Sequence, residues 1–297
     1  MVAARRKMLV TGREGQVVHS LIERSAGSEF DIVTIGRPDL DLSQPEGIAV
    51  ALEALRPDII VSAAAYTAVD QAETDEQAAM TVNGTAAGEI AKAASKLAVP
   101  LIHISTDYVF DGAKSSAYVE TDPVAPIGAY GRSKLAGEMA VAAETSDFAI
   151  LRTAWVYSPF GRNFLKTMLR LAEGRDRISV VNDQIGNPTS ALDIADGILA
   201  VGRNLLADPD PALRGVFHMT AAGEASWADF AAEIFACSRA AGGAFAAVDP
   251  IPSSQYPTPA KRPANSRLDC RKLEQAHGVH LPEWRQSTAA IVTRCGQ

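Results

Sequence analysis

A tyrosine and a lysine lie four residues apart in Tyr130-Gly131-Arg132-Ser133-Lys134. On a helix, residues i and i+4 share a face, so the ammonium of Lys134 can lie beside the phenol of Tyr130. A nearby cation favours the phenolate and draws a tyrosine pKa down from about 10, toward the range useful for proton transfer. Taken alone, such a pair also fits an ordinary helix-surface contact. It gains meaning from Ser105-Thr106-Asp107-Tyr108, which ends an apolar run and offers the hydroxyl of Thr106. A hydroxyl and a Tyr/Lys pair beside a bound dinucleotide suit carbonyl reduction or its reverse.

The dinucleotide has its own candidates. Thr11-Gly12-Arg13-Glu14-Gly15-Gln16-Val17-Val18 directly follows the first apolar run and opens the first helical pattern. Gly12 and Gly15 allow a tight turn and let the backbone approach a pyrophosphate at a helix N-terminus. Val18 holds the position of a third glycine, whose usual service is close helix–strand packing, so looser packing is expected there. The second apolar run ends at Ile35 and leads into Gly36-Arg37. An NAD site usually has an acidic residue at that place. Arg37 is a cation suited to a 2′-phosphate, which tilts the reading toward NADPH over NADH; Asp39 and Asp41 stand close by.

These residues need a frame. Lys7–Thr11, Asp31–Ile35, Asp58–Ser62, Leu101–Ser105 and Phe148–Thr153 read as buried strands. Between them Gln16–Glu23, Pro45–Leu55, Asp75–Leu97 and Gly131–Glu144 have helix-forming composition. Such alternation predicts an α/β fold, a Rossmann-type doubly wound parallel sheet with helices on both faces. In such a sheet ligands bind at the C-terminal ends of the strands, where Thr106 would sit. The expected organisation is a dinucleotide-binding domain over residues 1–155, with contributions from parts of 156–220, and a smaller C-terminal α/β substrate lobe over 156–297. In that second part Asn163–Glu173, Ala191–Leu206 and Trp227–Ala241 read as helices and Val216–Met219 as a short strand. Pro250–Pro263 holds five prolines in 14 residues and is expected to be an ordered loop or extended strip.

With these residues in place, the chain resembles the extended short-chain dehydrogenase/reductase superfamily, through Gly12-x-x-Gly15, Ser105-Thr106-Asp107-Tyr108-Val109-Phe110 and Tyr130-x-x-x-Lys134. Within it, five further blocks look like the dTDP-4-dehydrorhamnose reductases. They are Gly15-Gln16-Val17, the run from Ala63 to Asp70, Arg152–Tyr157, Asn182–Thr189 and Arg262–Leu268. The resemblance runs from residue 7 to about residue 285. It implies an NAD(P)H-dependent oxidoreductase that reduces the C4 ketone of dTDP-4-dehydro-L-rhamnose, the last step of dTDP-rhamnose synthesis for polysaccharides. It further implies that Tyr130 protonates the developing alkoxide, that Lys134 lowers the tyrosine's pKa and holds the nicotinamide ribose, and that Thr106 bonds the substrate oxygen. Asp107 and Trp155 would touch the sugar nucleotide. Gly15, Gln16, Val17, Asp41, Leu42, Ala65, Tyr66 and Thr67 would contact the cofactor. Some members bridge a dimer through Mg2+ with an acidic ligand soon after the glycine turn; Ser20 stands there instead, so no bound metal is expected, while a homodimer stays open. A nucleotide-sugar epimerase or dehydratase of the same superfamily, or a non-catalytic NADP-binding regulatory subunit, are the alternatives.

Composition narrows the remainder. The 297 residues are 47% hydrophobic and 21% charged, which fits a globular protein rather than a disordered chain. A net charge of -7 and the lack of a basic face argue against nucleic acid as partner. No apolar run approaches a membrane span, and the apolar stretch after the basic start ends at Thr11-Gly12, so a cytoplasmic protein with reduced cysteines is expected. Cys270, His277, His280 and Cys295 match no common zinc spacing. His103, inside an apolar strand, reads as a core histidine with satisfied nitrogens. Trp227 and Trp284 read as packing residues of the second lobe. Asn83-Gly84-Thr85 has the form of a glycosylation acceptor that a cytoplasmic chain would not use.

Overall fold

Continuous apolar runs cannot leave either face of a strand in water, so they assemble where helices cover both sides. In the computed structural model, which describes residues 5–296, six such strands form one sheet: β1 (Arg6–Thr11), β2 (Phe30–Ile35), β3 (Ile59–Ser62), β4 (Leu101–Thr106), β5 (Phe148–Thr153) and β6 (Gly215–His218). Residues 1–4, part of the basic start, and residue 297 lie outside the described residues. The order is β6-β5-β4-β3-β1-β2 and every pairing is parallel. The chain thus reverses its winding between β1 and β3, and a crevice opens beyond their C-terminal ends.

Alternate side chains of each strand feed two cores. Met8 and Val10 of β1 point to the face covered by α1 (Gln16–Arg24) and α6 (Ala191–Ala207), against Val18, Leu21, Ile194 and Ile198. Leu9 points to the face covered by α2 (Ile48–Leu55), α3 (Ala86–Leu97) and α4 (Ala129–Glu144), against Ile48, Leu52, Ile90 and Val141. Each fully buried aliphatic side chain contributes about 1.5–3 kcal/mol, so the two faces hold the crevice walls rigid. Residues 191–218 return the chain to this sheet, supplying α6 and the edge strand β6.

The stretch expected to be one helix over Asp75–Leu97 is broken. A short α-helix, Glu76–Met80, passes through a π-helical turn at Thr81–Thr85 before α3 begins. The cause is Asn83, whose buried carboxamide accepts from Tyr66 N (2.8 Å) and donates to Tyr66 O (3.0 Å) and Ser133 Oγ (2.9 Å). Holding Asn83 toward the loop after β3 requires the extra residue per turn that a π-turn supplies. The stretch from Pro45 starts with a 3-10 turn, as the proline favours, before α2.

A third core joins α5 (Phe164–Ala172), α7 (Trp227–Ala240) and α8 (Trp284–Cys295) through Tyr157, Leu165, Phe230, Ile234, Trp284 and Ile291. Asn163 caps α5, and Ser226 with Asp229 forms a reciprocal capping box on α7. Sequence reasoning missed a strand at Arg177–Val181, which pairs in parallel with Ala247–Ile251. Pro250 is tolerated there because a two-stranded pair has only edges. The proline-rich strip beyond it turns through Ser253–Gln255 and has no further regular structure until Arg271, apart from isolated bridges.

Candidate active site

The glycine turn sits at the winding reversal. Gly12 has φ +100°, a conformation that L side chains rarely adopt, and a Cβ there would press on Ala64 Cβ at 3.3 Å. Thr11 Oγ1 accepts from Ala63 N (3.0 Å) and Ala64 N (3.1 Å), fastening the turn to the end of β3. Gly15 is the N-cap of α1 and provides no side-chain cap, so the first-turn N–H groups are left to the crevice. Val18 is no packing defect: it is buried in the first core and fills the space under both glycines. Ser20, also buried, donates to Gln16 O.

The crevice has a volume of about 1120 Å³, and every residue to which the sequence analysis gave a catalytic, cofactor or substrate role lines it. At one end stand Gly12, Gly15, Gln16 and Val17 with Arg37, Asp41 and Leu42. The middle is walled by Ala65, Tyr66 and Thr67, and the far end by Thr106, Asp107, Tyr130, Lys134 and Trp155. Asp39, which stands close to Arg37 in sequence, is paired with Arg13. The Ser43 N–H and hydroxyl hold the Asp41 carboxyl below the usual range, with a smaller pull from Arg37.

Thr106 ends β4 and caps the 3-10 turn Asp107–Val109, its Oγ1 accepting from Tyr108 N (3.2 Å) and donating to Asp107 Oδ1 (3.0 Å). Asp107 is 3% exposed, and its Oδ2 has no partner among the described residues. Burial pushes the Asp107 carboxyl up to about 6. Tyr130 packs edge-on against Tyr108 at 5.4 Å. The helix carrying Tyr130 approaches the 3-10 turn so closely that a Cβ on Gly131 would lie 2.2 Å from Tyr108 O.

One expectation needs correction. The Lys134 ammonium does not depress the Tyr130 phenol in this structure: its hydrogen bonds run to Ile104 O (2.7 Å) and His103 Nε2 (3.3 Å), back toward β4. Burial raises the phenol pKa and the charge of Asp107 raises it further, with only the Thr106 hydroxyl opposing. Burial also draws Lys134 down to about 8.

Several contacts around the site, rather than the residues themselves, escaped the sequence. Asn83 clips the loop carrying Ala65, Tyr66 and Thr67 to α4. The Gln16 carboxamide accepts from Ser158 Oγ (2.7 Å) and Asn163 Nδ2 (2.9 Å), joining the glycine turn to the residues after β5. Trp227 stacks on Trp155 at 3.6 Å, beyond its expected packing role, whereas Trp284 is fully buried. Trp155 has φ +49°, and a Cβ on Gly186 would fall 2.5 Å from its ring. The partners of Asn83 and Gln16 lie far from them in sequence, and the tryptophan pair is 72 residues apart.

The crevice suits a dinucleotide: uncapped N–H groups lie at one end, and two buried polar atoms without partners, Asp107 Oδ2 and Thr153 Oγ1, belong to residues lining the other. A glycine turn at the winding reversal, with Thr106 at the end of β4 and Tyr130 and Lys134 on α4 beside it, defines an oxidoreductase of the extended short-chain dehydrogenase/reductase class. Residues 6–296 match the family described as RmlD substrate binding domain. The chain is 48% identical over 286 residues, 96% of either chain, to a dTDP-4-dehydrorhamnose reductase of Sinorhizobium fredii. A crystal structure of a dTDP-4-dehydrorhamnose reductase from Clostridium acetobutylicum superposes with a TM-score of 0.91 at 34% identity, covering 98% of this chain and 100% of the other. One from Bacillus anthracis, in complex with NADP, gives 0.90 at 33% identity, covering 98% and 99%. The chain belongs to the dTDP-4-dehydrorhamnose reductase family. Among the described residues no helix is long and apolar enough to cross a membrane.

Proposed function

We propose that this protein reduces the C4 ketone of dTDP-4-dehydro-L-rhamnose with NADPH to give dTDP-L-rhamnose. The observation that carries the reading is that Tyr130, Thr106 and Asp107 line one end of a crevice whose other end is the glycine turn. Gly12, Gly15 and the open N-terminus of α1 would hold the pyrophosphate, Arg37 the 2′-phosphate, and Lys134 the nicotinamide ribose. When bound, the nicotinamide supplies the hydride. The chain supplies the proton: Tyr130, kept protonated by burial, donates from its phenol oxygen to the oxygen forming at C4. Thr106 turns its O–H from Asp107 to the same oxygen, where negative charge grows. Asp107 then accepts from the sugar with the oxygen that has no partner here, and Trp155, backed by Trp227, walls the sugar side.

The test is nicotinamide absorbance with purified protein and dTDP-4-dehydro-L-rhamnose, run with NADPH, with NADH and with the Tyr130→Phe variant. Consumption that depends on the sugar, yields dTDP-L-rhamnose and is lost in the variant is expected, with cofactor affinity nearly unchanged because only the proton donor is gone. Binding of NADPH without consumption overturns the substrate assignment, and full activity of Tyr130→Phe overturns the role of the phenol.

A further inference from the structure

The reaction described above makes no use of His103, yet this residue touches its machinery. His103 lies within β4, is 2% exposed, and has both ring nitrogens engaged. Nδ1 is 3.1 Å from Ser62 Oγ on the neighbouring β3, and Nε2 is 3.3 Å from Lys134 Nζ on α4. An ammonium has three N–H donors and nothing with which to accept. Nε2 must therefore present its lone pair, which places the ring proton on Nδ1 and makes Nδ1–H the donor to Ser62 Oγ. With the Ile104 carbonyl taking a second donor, Lys134 keeps one N–H for the crevice that it lines. Burial and the adjacent ammonium hold the imidazole pKa well below its ordinary value, so the ring stays an acceptor across the working range.

We infer that His103 is a positioning residue for the reduction, the acceptor that fixes the Lys134 ammonium with a single donor directed at the cofactor; this rests on the reading that Lys134 serves a bound dinucleotide. The groups that face Lys134 leave few other candidates. On α4 itself Glu138 supports the ammonium, but its oxygens are taken by Arg152 of β5 and Ser105 of β4. Asp107 and Tyr108 of the 3-10 turn act on Tyr130. Glu73 and Glu76 engage Ala129 N and Arg132 in the first turn of α4. From the α3 side, Gly88 meets Ala140 and Asn83 meets Ser133, neither of them charged.

A hydrocarbon at position 103 would leave one ammonium donor without a partner in a buried site, favouring the neutral amine. If the Lys134 pKa falls from about 8 by about one pH unit, the ammonium fraction at about pH 8 drops from about one half to about one tenth, a roughly fivefold loss. The experiment is the pH profile of kcat/KM for wild type, His103→Leu and His103→Gln. The alkaline limb should move to lower pH by about one unit in the leucine variant and return in the glutamine variant, whose amide oxygen can accept at the same reach. A rate loss with an unmoved limb, or glutamine failing to restore it, overturns the inference. Nitrogen-15 NMR of histidine-labelled protein without substrate decides the matter even if the leucine variant does not fold. The expected signature is a neutral ring protonated on Nδ1, with that preference relaxed in Lys134→Met; a ring protonated on Nε2 overturns the assignment. Wild type inactive on the sugar would sink the proposed substrate and leave the NMR result standing.

Discussion

Replacing Asp107 by asparagine should make the protein more stable at neutral pH than in acid, relative to wild type, while weakening its hold on the sugar. The carboxyl is 3% exposed, one oxygen has no partner, and burial raises its pKa from 3.8 to about 6. A carboxyl with a higher pKa folded than unfolded binds its proton more tightly in the folded chain. Its favourable contribution is complete below about pH 4 and is lost as the pH rises through about 6. A rise of that size corresponds to about 3 kcal/mol forgone at neutral pH. Asparagine has no charge to desolvate, but its amide leaves N–H groups short of acceptors, a cost of about 1–3 kcal/mol at every pH. That offset is constant, so the pH-dependent part remains: between about pH 4 and about pH 7.5 the variant should gain about 3 kcal/mol on wild type. For a chain of this length about 1 kcal/mol moves Tm by about 2 °C, so the difference in Tm should change by about 6 °C over that range. Thermal melts of both proteins in matched buffers without nucleotide measure it. Parallel melting curves across the range would refute the reasoning, because they would mean that the charge carries no desolvation cost. In the same variant KM for the sugar nucleotide should rise, the acceptor oxygen having been replaced.

Three further substitutions probe the frame. Arg37→Ala should weaken NADPH binding by tenfold or more, about 1.4 kcal/mol, and NADH binding far less; equal effects in a fluorescence titration remove Arg37 from the phosphate site. Glu138→Gln should destabilise the protein by about 3–5 kcal/mol, because it leaves the Arg152 guanidinium buried without its counter-charge; a loss below about 1 kcal/mol in urea unfolding counts against that account. Asn83→Ala should cost about 2 kcal/mol and raise KM for NADPH, since the loop with Ala65, Tyr66 and Thr67 loses its clip to α4; an unchanged KM would show that the clip does not shape the cofactor wall.

Much of this frame was readable before any coordinates, for a physical reason. Runs such as Met8-Leu9-Val10 and Ile59-Ile60-Val61 are apolar on both faces, which only a covered parallel sheet satisfies, and the crevice follows from the winding. Residues attached to strand ends, such as Gly12 and Thr106, were therefore placed well. What stayed hidden depends on where side chains turn once packed. Lys134 has the spacing to meet Tyr130, yet its ammonium is drawn to a backbone carbonyl and a histidine on β4, which spacing along one helix does not encode. Asn83 had the form of a glycosylation acceptor, but the π-turn at Thr81–Thr85 carries it inward, where it is buried. The strand at Arg177–Val181 has a buried–exposed alternation that is visible only once its partner Ala247–Ile251 is known.

Trp155 and Gly186 form a lock in which neither part can change without disturbing the other. The indole occupies the space where any side chain at 186 would begin, and it does so from a backbone conformation that costs of order 1–3 kcal/mol for a residue other than glycine. Descendants of this chain can therefore reshape the crevice wall at Trp155 from position 186, which does not itself line the crevice, by acquiring a methyl group that displaces the ring. The two positions must be inherited as a pair wherever the wall is kept, and a change of accepted sugar in evolution or in a directed library should surface first as their joint drift.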